Sequence, residues 1–104
     1  MDRTNKQKAG SLLGLCNKAG KLTTGQFACE RAVQSGKALL VLVAVDASDN
    51  TKKKFSQKAF FYKLPYAEVF SMDESNFAAN GAVCVVTDIN FSERILELIG
   101  ADLG

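Results

Sequence analysis

The chain has 104 residues, thirteen of them basic, eleven acidic and none histidine. That length bounds it to one domain able to bury its own core, and the missing imidazole excludes Ser-His and Cys-His nucleophile pairs and histidine metal ligands. The formal charge of +2 divides unevenly: residues 1–63 hold twelve bases and four acids, whereas residues 64–104 hold Arg94 and seven acids. The +8 of the first part points toward a polyanion-binding face, nucleic acid first, or to charges that simply fell unevenly; charge alone does not choose.

Ala9, Leu12, Leu13 and Cys16 repeat at helical spacing and predict a first helix ending near Gly20. Leu22 and Thr23 allow a short edge strand. Thr23 and Gln26 have the spacing of a capping box and open a second helix, with Ala28, Cys29, Ala32 and Val33 as its apolar positions and Gly36 as its stop. Leu39 to Val45 is a continuous apolar run, the pattern of a strand covered on both faces. Ser48, Asp49 or Asn50 can cap a third helix that turns Phe55, Ala59 and Tyr62 inward, and Pro65 ends it. Tyr66 to Phe70 reads as a strand, Ser71 with Glu74 as the start of a brief helix, and Val83 to Thr87 as another strand. Asn90 with Glu93 opens the last helix, whose inner face is Phe91, Ile95 and Leu98. Buried strands alternating with helices predict an α/β fold, a three-layer α/β/α sandwich on a small mixed sheet of about four strands. Neither repeats nor linkers divide the chain, so residues 1–104 read as a single domain.

Cys16, Cys29 and Cys84 are widely scattered, without the close pairs of zinc or redox motifs, and fit small buried hydrophobes of a reducing cytoplasm. Neither metal nor cofactor is expected. The longest apolar run is far too short to cross a bilayer, and the polar N-terminus lacks a signal-peptide core, so a soluble cytoplasmic protein with no membrane partner is expected.

Two segments could carry chemistry. Gly20-Lys21-Leu22-Thr23-Thr24-Gly25 leads into a helix N-terminus, where backbone N–H groups receive anions. It is not a nucleotide loop, because Gln26 and Phe27 stand where a phosphate-binding Lys and Ser/Thr would follow the second glycine. Gly25 admits the close approach of another backbone, and Lys18 and Lys21 lie nearby in sequence; the plainer reading makes Gly20 a helix stop and Gly25 an ordinary first-turn residue. Lys52, Lys53 and Lys54 are expected in the first turn of the third helix, where the dipole favours acids, so they do not serve helix stability there. They read as a phosphate-contacting cluster or as a solvated face. Asp73-Glu74 and Glu93/Glu97 are the available carboxylate pairs, and neither suggests an acid–base assignment, so no enzyme is expected.

Cys16-Asn17-Lys18-Ala19-Gly20-Lys21-Leu22, Thr24-Gly25, Ala32-Val33-Gln34-Ser35-Gly36-Lys37-Ala38 and Asp46 through Lys54 together resemble a known family. It is the bacterial, ribosome-associated branch of the kink-turn RNA-binding ribosomal protein superfamily, the "L-seven-A-e" family. The resemblance runs from about Lys6 to Leu98 and is loosest after Phe70. It implies an α/β/α sandwich, structured RNA with a kink-turn or ribosomal RNA as partner, and ribosome association; a monomer is expected. RNA of this kind is recognised by shape and unpaired bases, since the A-form major groove is too narrow to read. Position by position, Gly25 matches the family glycine that lets the helix N-terminus enter the RNA. Thr24 and Gln26 flank it, Arg31 matches a basic position, and Lys37 matches a basic or polar one before the strand. Asp46 matches the acid after the strand, Lys52–Lys54 match the basic cluster, and Ala79 and Gly81 match small residues of a loop over flipped-out bases. Phe27 and Ala28 stand where other members carry an Asn-Glu pair, Val45 where many carry Glu, and residues 75–82 are about two residues short. The resemblance also admits a protein-interaction module on the same fold, for which the acidic C-terminal part would be the binding face.

Overall fold

In the computed structural model, which describes residues 3–70, 82–100 and 102–103, the apolar run after Lys37 becomes strand β2 (Leu40–Val43), with all four residues buried. Such a strand needs cover on both faces, and it has it. β4 (Val83–Val86), equally buried, runs antiparallel beside it, and β3 (Pro65–Glu68) pairs parallel on its other side. β1 (Leu22–Thr24) is antiparallel to β4, and β5 (Asp102–Leu103) is antiparallel to β3, giving the order β1-β4-β2-β3-β5. The four expected strands are thus joined by a fifth, two residues long.

Helix α2 (Gln26–Gln34) packs on β1 and β4, and α3 (Asp49–Phe61) packs on β2 and β3. The other face carries α1 (Arg3–Lys18) and α4 (Ile89–Ile99), which pack against each other. This is the expected three-layer α/β/α sandwich. Its core is built from Ala9, Leu13 and Cys16 of α1, Cys29, Ala32 and Val33 of α2, Phe55 and Ala59 of α3, and Ile95 of α4, all against the sheet. Among the described residues no helix is long and apolar enough to cross a membrane.

Several element ends differ from expectation. Thr23 belongs to the expected short edge strand, which runs on to Thr24, and is not a cap: α2 starts from Gly25, and no side chain caps it. Ladder pairing of β1 with β4 claims the residues that local spacing assigned to a capping box. α4 is capped by Asp88, whose carboxylate accepts from the Phe91 N–H at 3.0 Å, rather than by Asn90. Tyr62 does not face the core; it is the residue that ends α3 and is 40% exposed. The brief helix expected after Ser71 lies outside the described residues.

Gly10 sits inside α1, where glycine costs helix stability relative to alanine. A Cβ there would meet the Phe70 ring at 3.7 Å, ordinary contact distance. Gly10→Ala is therefore expected to raise unfolding stability by about 0.5–1 kcal/mol, read as a higher urea midpoint with an unchanged slope.

Candidate nucleic-acid interface

The sheet register gathers one set of ends. Thr24 is level with Cys84, Val43 with Val83 and with Glu68. Here β1 turns into α2 through Gly25, and β2 leads through residues 44–48 into α3. Gly25 has φ +92° and ψ 144°, at the edge of a region open essentially only to glycine. Its N–H donates to the Val83 carbonyl at 3.3 Å, and its own carbonyl accepts from the Cys29 N–H at 2.9 Å. The positive φ is thus what lets the chain leave the ladder and enter the helix within one residue.

The two helix starts are joined by side chains. Gln26 Nε2 donates to Thr51 Oγ1 at 3.1 Å, and Ser48 Oγ donates to the same oxygen at 2.9 Å. Ser48 Oγ also accepts from the Thr51 N–H at 3.2 Å as the N-cap of α3. Two helix N-termini, each with unpaired backbone donors and a partial positive charge, therefore lie at one end of the sheet. Thr51, 7% exposed, is the pivot between them. Thr51→Val keeps the shape and removes the hydroxyl, so it is expected to destabilise by about 1–2 kcal/mol and to release the Gln26 side chain, visible as altered chemical shifts of its side-chain amide.

The lysine cluster lies one turn further along than expected. α3 begins at Asp49, an acid where the dipole favours one, and Lys52–Lys54 fall in the second turn. Two of them are engaged: Lys54 Nζ is 2.9 Å from Glu30 Oε1, and Lys52 Nζ is 3.8 Å from Glu68 Oε1. Lys58 also reaches Glu30 at 3.8 Å, so α2 and α3 are laced across their outer faces. These pairs are partly exposed and add little stability, but they fix where the ammonium groups stand. Lys53 is exposed. Tyr66 donates to Glu68 Oε2 at 2.8 Å, and burial together with this carboxylate pushes its hydroxyl pKa up. On α2, Phe27 is 72% exposed, and the Arg31 guanidinium stands over its ring, 5.8 Å from the centroid. Asp46 is exposed in the loop before α3.

Thr24, Gly25, Gln26 and Lys52–Lys54 are therefore brought to one end of the molecule, with Arg31 a turn along α2. Lys18, Lys21 and Lys37 are not. Lys21 precedes β1, and its carbonyl accepts from the Thr87 N–H at 2.9 Å at the opposite end of the sheet. Three extended residues, four residue steps, separate it from Gly25, about 13 Å. Lys18 ends α1, and Lys37 follows the C-terminus of α2, on that same far side. The positive charge of residues 1–63 is thus divided between two poles of the sheet. Ala79 and Gly81 lie outside the described residues. The segment's flanks, Phe70 and Ala82, are at the Gly25 end, held to Val45 and Ala44 by N–H···O bonds of 2.8 and 2.9 Å. Both have positive φ, +66° and +67°, a strained backbone for residues with side chains.

Reading the sequence missed Thr51 and Ser48 as the link between the helix starts. A Ser-x-x-Thr spacing at a helix start was the available signal. Among the described residues no group of His, Cys, Asp and Glu is arranged to hold a metal ion.

No family model matches the chain. It is 40% identical over 101 residues to the RNA-binding protein YlxQ of Enterococcus faecium, covering 95% of this chain and 98% of that one. It is 36% identical over 91 residues to the RNA-binding protein YlxQ of Bacillus subtilis (strain 168), covering 85% and 91%. Among solved structures, a protein of unknown function from Bacillus halodurans C superposes with a TM-score of 0.84 at 35% identity, covering 89% of this chain and 97% of that one. The Giardia lamblia 15.5kD RNA binding protein superposes with a TM-score of 0.74 over 96% of this chain and 88% of its own, at 17% identity, a likeness of fold alone.

Proposed function

The chain belongs to the same family as the RNA-binding proteins YlxQ of E. faecium and B. subtilis, and from that premise we propose that it binds structured RNA. In this reading it is a member of the kink-turn-binding superfamily, a cytoplasmic, non-enzymatic monomer that works without a cofactor on ribosomal or similarly folded RNA. The bent RNA docks on the paired starts of α2 and α3. Gly25, with no side chain, lets a phosphate backbone approach the N–H groups of the first turn of α2. Gln26 offers both a donor and an acceptor, Phe27 a face on which an unpaired base stacks, and Lys53 with its neighbours the phosphate contacts. Lys18, Lys21 and Lys37 are left out of this footprint, since they stand at the other end of the sheet.

The observation that carries this reading is the geometry of Gly25. A glycine-only backbone at a helix start, beside a second helix start, makes an anion-receptive surface with no side chain in front of it. The test is titration of a kink-turn duplex and a plain duplex of equal length at several salt concentrations. Preference for the kinked RNA is expected, with log K falling linearly with log salt at roughly 0.7–0.9 per phosphate neutralised. Equal affinity for the two duplexes removes the kink-turn reading, and no binding near physiological salt removes RNA binding altogether.

A further inference from the structure

Beyond the helix starts, α3 carries a feature the proposed footprint does not use. Phe60 and Phe61, 74% and 76% exposed, lie in its last turn and are followed by Tyr62. Phe61 and Tyr62 meet edge to face, with ring centroids 5.0 Å apart. They line one part of a groove of about 740 Å³ whose other walls are Glu30, Asn50, Lys53, Lys54, Gln57 and Lys58. Large exposed aromatics side by side are uncommon on a surface without a partner. Asn50, in the first turn of α3, brings the groove up to the helix starts, and from there to Tyr62 it runs about 18 Å.

Charge selects the occupant. The groove lining holds three lysines and one carboxylate, Glu30, which Lys54 and Lys58 already face. A second copy docked with this face against its own would set lysines against lysines, and an apolar peptide would leave the excess positive charge over Glu30 without a counter-charge. A strand of unpaired nucleotides meets both demands: phosphates along the ammonium groups, and bases on the aromatic faces, where stacking is tolerant of sequence. Gln57 adds a donor and an acceptor for a base edge.

We infer that the groove along α3, lined by Lys53, Lys54, Lys58, Phe61 and Tyr62, holds single-stranded nucleotides that continue from the structured RNA at the helix starts. This rests on the RNA-binding reading above. It adds a second, sequence-tolerant contact that extends the footprint along α3 for a flank left single-stranded.

The test titrates the full chain with a kinked duplex, with the same duplex carrying a flank of about ten uridines, and with the uridine strand alone. The flank is expected to tighten binding about tenfold or more, the worth of one or two stacked bases. Phe61→Ala with Tyr62→Ala removes that gain and leaves the affinity for the blunt duplex within about twofold. Both side chains are exposed, so the thermal midpoint of the variant should stay close to that of the parent. Phe61→Trp, in a chain without tryptophan, keeps the gain, and its emission is quenched when the flanked RNA binds. The uridine strand alone separates the two readings, because its loss of binding in the double alanine variant supports the groove even where kinked and plain duplexes bind alike. A flank that adds nothing to the parent protein, or a gain that survives the double variant, overturns the inference. So does a dimer of the parent protein, seen by sedimentation, that the double variant dissolves, since it would assign the aromatics to a second copy.

Discussion

Gly25→Asp is expected to have the largest effect of any single substitution, and through two separable routes. At φ +92° and ψ 144° a side chain of any kind strains the backbone, at a cost of about 1–3 kcal/mol. The negative charge would also stand where an RNA phosphate is to approach the α2 N–H groups, and placing like charges together in an interface costs several kcal/mol. Each 1.4 kcal/mol is a tenfold change, so the loss in affinity should be roughly a hundredfold or more. Gly25→Ala separates the routes, because it carries the same backbone strain without the charge. Urea unfolding should show similar destabilisation in both variants, while anisotropy titration at a temperature where both are folded should show a partial loss of binding for Ala, from its methyl group, and the wholesale loss only for Asp. If folded Gly25→Asp keeps its affinity for the kinked duplex, α2 is not the reading surface.

What the sequence made legible follows from what each element must satisfy. Leu40–Val43 and Val83–Val86 had to be apolar at every position because both sheet faces are covered, and such runs cannot be mistaken for solvated helix. The helix stop at Gly36 and a capping residue among Ser48, Asp49 and Asn50 depend on neighbours within a few residues and were equally visible; the structure selects Ser48. Features set by distant partners were not. Thr23 carries both the spacing of a helix start and the pattern of a short edge strand, and only its pairing with Val85, some sixty residues away, decides for strand. Lys21 and Gly25 look adjacent in sequence, and an extended β1 between them places them at opposite ends of the sheet. Nothing local to Lys54 announces that Glu30 lies 2.9 Å away on the neighbouring helix. The candidate site was therefore legible as a helix start with a glycine, and not as a pair of helix starts locked through Thr51.

Above pH 9 the protein is expected to lose stability steeply, because three thiols are buried in its core, one of them, Cys29, behind the β1–α2 elbow of the proposed binding surface. Cys29 donates from Sγ to the Thr23 carbonyl at 3.3 Å and less closely to Val83 at 3.7 Å, which holds the β1–α2 elbow against β4. Cys16 donates to the Lys21 carbonyl at 3.2 Å, and Cys84 sits in the centre of the sheet. All three are free and buried. Burial pushes Cys29 from 9.0 to about 12; burial, with Asp88 adding to it, pushes Cys16 to about 11. Burial, chiefly, raises Cys84 well above its ordinary value. Each pKa is higher in the folded state, so between 9 and 11 the unfolded chain releases thiol protons that the native chain keeps. Stability is thus complete below pH 9 and falls as pH rises toward 11–12, by about 1.4 kcal/mol per thiol per pH unit. With three thiols the loss at pH 10 is up to roughly 4 kcal/mol, a large share of the 5–15 kcal/mol typical of a domain. Urea midpoints measured from pH 7.5 to pH 10 should fall along this slope, and a variant with all three cysteines changed to alanine, though less stable at neutral pH, should show a much flatter one. At pH 8 the same thiols should resist alkylation until denaturant is added. An alkaline slope that survives in the cysteine-free variant would move the cause to other titrating groups, and rapid alkylation of the native protein would mean that the β1–α2 elbow opens far more readily than its contacts imply.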